Sequence, residues 1–239
     1  MKTRTKISYI ILKYDDQTDN IYTKTSNNEN HAYEVPAFDY VQKRESTLVD
    51  AKNYIIEKFV DFNTFIDENH VFIPFIDVTF ENDIKVFTYV AVIFESNQDM
   101  FSSLNYESWH RVKYDHHKQY WNLTWGNGLT DPVDFKFAND AITDYTANPR
   151  DRDELTFNNV MHFVTEQTND FPILGLMSGN KFTMKQVFHY QDLLGIETLK
   201  AGNNATFENQ YSDSIQPIVD DRLTTSYKIK SNYLKKISL

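Results

Sequence analysis

The stretch Tyr114-Asp115-His116-His117, with His110 just upstream, gathers the nitrogen and oxygen donors of a divalent-metal site. Neighbouring residues on a strand point to opposite faces, so His116 and His117 cannot both ligate one ion, and a surface loop is the expected setting. No cysteine occurs in the 239 residues. Thiolate zinc sites, disulfides and cysteine nucleophiles are thereby excluded, and a reducing cytoplasm is the expected location. Neither a Ser/His/Asp signature, a glycine-rich phosphate loop nor a His-Glu-x-x-His helix is present.

The elements that must position such groups are legible from periodicity. Apolar residues form 41% of the chain and aromatics 15%, enough for a sizeable core, while only 6 Gly and 6 Pro exclude collagen-like and low-complexity chains. The β-rich runs are 5–14, 20–25, 32–40, 71–80 and 84–95, the last two joined by a Glu81-Asn82-Asp83 hairpin turn. Leu48, Ala51, Ile55, Phe59 and Val60 recur at helical spacing after a Ser46 or Thr47 cap. A short strand at 121–125 precedes a turn-rich loop, and an amphipathic helix covers 149–165 until Thr-Asn-Asp-Phe-Pro breaks it. The tail reads as a short helix over 173–179, a helix between Thr183 and Gly195, a polar helix near 203–211, and two strands about Asp220-Asp221. Helix, helix, helix, hairpin is the order of a winged helix-turn-helix. No apolar run reaches the ~20 residues of a membrane span, and the N-terminal run ends too soon for a signal peptide.

Charge divides along the same line. Net charge is −10. Residues 171–239 hold eight basic and six acidic side chains, a balance of +2, leaving 16 basic and 28 acidic ones, −12, for residues 1–170. A small positive balance is weak electrostatic ground for nucleic acid.

Residues 38–61 resemble a decayed Nudix box, G-x5-E-x7-R-E-U-x-E-E-x-G-U with U apolar. Glu45, Ile55 and Glu57 match, whereas Asp39, Asn53, Tyr54, Lys58 and Val60 replace the glycine, arginine, two glutamates and closing glycine. Residues 171–195 resemble the linker and first helix of Nudix-related transcriptional regulators, with Pro172, Lys181, Phe182, Thr183 and Gly195 in register. The resemblance covers roughly 5–100 and 135–230. It implies an α+β fold: a Nudix-like α/β/α sandwich with a mixed sheet over 1–168, then a winged helix-turn-helix domain over 169–239.

What this resemblance implies for chemistry is narrower. The box glutamates hold Mg²⁺ because residues i, i+3 and i+4 share a helix face. Here Tyr54, Glu57 and Lys58 leave one carboxylate, Glu57, as the only metal ligand, beside an ammonium that repels the ion. Hydrolysis is therefore not expected; Mg²⁺ enters only if residual hydrolase activity persists on a nucleoside-diphosphate-linked substrate. What survives is a nucleotide cleft for ADP-ribose or a relative, with Tyr40, Tyr54, Trp121 or Phe137 to stack a base, Lys43 and Arg44 to meet phosphate, and Glu57 nearby. A homodimer would carry operator DNA on Lys185, Lys200, Asn209, Gln210, Lys228 and Lys230, with Arg222 adding charge. The family's arginine-rich recognition run is replaced by Ala205-Thr206-Phe207-Glu208-Asn209-Gln210-Tyr211, where Glu208 is expected to repel phosphate. The alternatives are a Mg²⁺-dependent Nudix hydrolase of a nucleoside-diphosphate-linked substrate and a nucleotide-binding module without a DNA partner.

Overall fold

The computed structural model describes residues 2–24, 35–41, 47–61, 65–96, 109–117, 120–125, 133–136, 149–197, 200–218 and 224–237. Strand β1 (Lys2–Asp15) is the axis of the main sheet. It pairs in parallel with β5 (Ile84–Glu95) from Lys2↔Ile84 to Lys13↔Glu95, and along its other edge with β2 (Asn20–Lys24) and β3 (Ala37–Asp39). Tyr9 to Lys13 are all buried, as expected of a strand covered on both faces. Strand β4 (Val71–Glu81) returns antiparallel to β5 through a tight turn in which Asn82 (φ 48°) and Asp83 (φ 65°) are both left-handed, the twist-matched hairpin geometry. Beyond β2 come β6 (Trp109–Asp115), β7 (Tyr120–Trp125) and β8 (Val133–Lys136), all antiparallel, giving the order β4-β5-β1-β2-β6-β7-β8 with β3 on β1.

One face carries α1 (Leu48–Asp61), whose Ala51, Ile55 and Phe59 pack on Ile7, Tyr9, Ile11, Ala91 and Ile93. The helix opens on a reciprocal cap in which the Asp50 amide donates to Thr47 Oγ1 at 3.3 Å and the Thr47 amide to Asp50 Oδ2 at 2.6 Å. The other face carries α2 (Pro149–Asp170), with Phe157, Val160, Met161 and Val164 against Ile10, Leu12, Val90 and Val92. This helix runs past the expected break to Asp170. The Thr165 and Thr168 hydroxyls bond back to Met161 O (2.8 Å) and Val164 O (2.7 Å), and Pro172 then ends it.

A 3-10 turn (Ile173–Ser178) leads to α3 (Met184–Leu194), α4 (Asn204–Gln210), the paired β9 (Ile215–Ile218) and β10 (Ser226–Ile229), and α5 (Ser231–Ile237). Thr183 and Gln186 form a capping box on α3, and Gly195 closes it at φ 66°. The fold is therefore α+β, an α/β/α layered body followed by a winged helix. The apolar cluster on the α2 face continues without interruption through Leu174, Tyr190, Phe207 and Tyr227 of the tail. Strands β6 and β8 and helix α5 were not legible in the sequence, and the Asp220-Asp221 turn lies outside the described residues.

Candidate functional site

Of the residues expected at a ligand site, Lys43, Arg44 and Phe137 lie outside the described residues. Tyr40 is buried, its ring 5.1 Å from Tyr54 and 5.9 Å from Tyr89. Tyr54, at a box-glutamate position, instead ties α1 to the end of β3 by donating its hydroxyl to Asp39 O at 2.9 Å. Lys58 Nζ stands 5.5 Å from the centre of that Tyr54 ring. Glu57 is exposed on the outer side of α1. Among the described residues, no three His, Asp or Glu side chains converge as metal ligands. His116 and His117 are exposed in the turn after β6, while His110 is buried on the α2 face, and burial lowers its pKa to about 4. Trp121 is buried and donates its indole N–H to Leu194 O at 2.9 Å, anchoring α3 to the sheet.

A cleft of about 570 Å³ opens on the opposite face, between the N-terminal turns of α2 and the lower ends of β1, β4 and β5. That volume is within the range of small-molecule sites. Lys6, Asp77, Thr79, Glu81, Arg152 and Asp153 line it. Glu81 sits at the centre of its charge. Lys6 Nζ donates to Glu81 Oε1 at 2.9 Å, and guanidinium nitrogens of Arg4 and Arg152 each stand 3.9 Å from the Glu81 carboxylate. Arg152 Nε is buried and has no hydrogen-bond partner among the described residues, a donor held ready inside the wall. Asp77 accepts from the Val78 amide at 2.8 Å, yet burial raises its carboxyl pKa against the lowering effects of that bond and of Arg152. The cleft can thus offer two cations to an anion and carboxylates to hydroxyls, provided Glu81 yields its hold on Lys6.

None of these residues was singled out from the sequence. A signal exists nonetheless. On the α2 face, β1 reads Lys6, Ser8, Ile10, Leu12, and β5 reads Thr88, Val90, Val92, so the inward side turns polar at one end of both strands.

On the winged helix, Lys185 is exposed in the first turn of α3, Asn209 and Gln210 are exposed on α4, and Lys228 is exposed on β10. Lys200 is paired with Asp192, and Lys230 Nζ donates to Ser212 O at 2.6 Å. Glu208 Oε1 accepts the Tyr227 hydroxyl at 3.0 Å, which ties α4 to the wing. Burial, then this bond, raises the Tyr227 pKa. Arg222 lies outside the described residues. Between body and winged helix, Asp19 Oδ1 accepts from the Tyr14 hydroxyl at 2.9 Å and meets His189 Nε2 at 2.5 Å.

No protein-family model and no curated protein sequence matches the chain. Solved structures do. Over 97% of its length the chain is similar to a MutT/nudix family protein from Enterococcus faecalis, at 13% identity, covering 89% of that chain with a TM-score of 0.66. It is also similar to NrtR of Shewanella oneidensis, at 12% identity over 95% of this chain and 94% of that one, TM-score 0.55. The same NrtR complexed with a 27mer DNA gives 11% identity, 97% and 95% coverage, and a TM-score of 0.53. The chain thus shares its fold, body and tail together, with these MutT/nudix and NrtR structures.

Proposed function

We propose that this chain is a Nudix-derived transcriptional regulator that senses an ADP-ribose-like nucleotide without hydrolysing it and binds DNA as a homodimer through its winged helix. The division of labour follows the expected boundary near residue 168, with the ligand held by the body and DNA by the tail. One observation carries the reading: the likeness to NrtR spans the sheet body and the tail alike, and one of those NrtR structures holds DNA.

The box positions on α1 do not offer the cluster of carboxylates that hydrolysis requires. Tyr54 is engaged with β3, Lys58 stands near its ring, and Glu57 alone faces outward. A water activated between divalent ions needs several carboxylates on one face, and a lone exposed one does not hold them. The cleft supplies what ligand recognition requires. Lys6 and Arg152 suit a diphosphate once Glu81 moves aside, and Asp77 and Asp153 suit ribose hydroxyls. Its position at the N-terminal end of α2 also favours signalling, because the other end of that helix is bonded to the tail through the Tyr211 hydroxyl and Thr168 O at 2.9 Å.

The test is a thermal-shift panel of ADP-ribose, NAD and sugar nucleotides on the full chain. A ligand at a hundredfold over its Kd stabilises by about 2.7 kcal/mol. No movement with any member removes the sensing half of the proposal.

A further inference from the structure

Helix α4 presents an unusual surface for a helix that meets DNA. It buries Phe207 and exposes Asn204, Ala205, Thr206, Asn209 and Gln210, without a single lysine or arginine. Its one charged side chain, Glu208, is drawn off to the Tyr227 hydroxyl. The helix is held firmly for reading: Phe207 packs on Phe188, Tyr211 and Tyr227 with ring centroids 4.9–5.7 Å apart.

The exposed groups match one kind of base pair. An Asn or Gln amide pairs bidentately with adenine N6 and N7, whereas guanine O6 and N7 call for Arg or Lys. The thymine C5-methyl is met by small apolar groups, such as the methyl of Ala or Thr. Thr206 donates its hydroxyl to Asn203 Oδ1 at 3.2 Å, which leaves its methyl and an acceptor oxygen for a partner. Resting on the DNA-binding role proposed above, we infer that α4 reads a run of A·T pairs in the major groove through Asn209 and Gln210 amides and Ala205 and Thr206 methyls. Lys185 and Lys228 supply phosphate contacts that carry no sequence information.

The experiment is selection from random duplexes of about 24 base pairs by the full chain at about 50 mM salt, where phosphate contacts are strongest. The enriched duplex is then remade with 7-deazaadenine, lacking the N7 acceptor, or deoxyuridine, lacking the methyl. The expected result is a motif with consecutive A·T pairs, each replacement weakening binding about tenfold. Asn209→Ala and Gln210→Ala, exposed positions whose melting should match the parent, relax selection at those pairs. Lys228→Ala weakens all duplexes alike. A motif of G·C pairs at the positions these variants relax, or indifference to both base analogues, overturns the inference while leaving DNA binding in place. No enrichment of any duplex overturns both the inference and the DNA-binding role.

Discussion

Glu81 holds Lys6 and stands near Arg4 and Arg152, so its replacement reports directly on the cleft. Glu81→Gln keeps the shape and releases the cations, and ADP-ribose should bind several-fold tighter by calorimetry, the scale of a partly exposed ion pair, roughly 1 kcal/mol. Arg152→Ala should weaken it by at least tenfold, since a charged hydrogen bond is worth about 1.5–3 kcal/mol. Asp77 gives a pH signature. Its folded pKa is raised, so the folded state holds the proton more tightly, and stability is fully present below the ordinary value of 3.8 and falls as pH rises through the folded value. Asp77→Asn should therefore melt higher than the parent at pH 7, with the gain vanishing below 3.8. His110 works in the other direction. Its pKa is depressed from 6.5 to about 4, so its stabilising effect is present above 6.5 and lost as pH falls through about 4. The loss is about 3 kcal/mol at most, and His110→Gln should flatten that limb of a melting-against-pH profile.

At the scale of elements, α3 is the joint between body and winged helix. Gly195 is left-handed, and a Cβ there would fall 1.9 Å from Tyr114 Cδ1. Gly195→Ala should cost at least about 2 kcal/mol in denaturant melts, from backbone strain plus the clash. An unchanged midpoint would show that the α3 end does not dock on β6 as described. This helix was legible because its signals are local: a Thr183 cap, a Gly195 stop and an apolar stripe between. The β4–β5 hairpin was legible for the same reason. Strand β6 was not, because its buried residues include Trp109, His110 and Val112 among Arg111 and Lys113, and partners far along the chain decide their burial. The cleft was illegible in a different way. Lys6, Asp77 and Arg152 come from three elements, and no sequence window contains two of them. The Glu208–Tyr227 strut was illegible likewise, because it joins residues of α4 and β10 that share no sequence window. Glu208→Arg therefore removes the strut as it adds a cation, and Tyr227→Phe isolates the first effect at about 1 kcal/mol.

For the whole molecule, the shared apolar cluster argues that body and winged helix unfold together. Calorimetry should give one transition with matching van't Hoff and calorimetric enthalpies; two resolved transitions would mean the tail is held only loosely. Among the described residues no helix is long and apolar enough to cross a membrane. Under the proposed sensing role, a ligand in the cleft would act on the tail through α2, whose far end is bonded to the tail by the Tyr211 hydroxyl and Thr168 O. The most direct measurement is an anisotropy titration of the full chain against duplex DNA from upstream of its own gene, with and without saturating ADP-ribose. The expected result is salt-sensitive binding that ADP-ribose changes by at least about fivefold, the lower bound of ordinary allosteric coupling. Binding that is absent at low salt, or identical with and without the nucleotide, would contradict it.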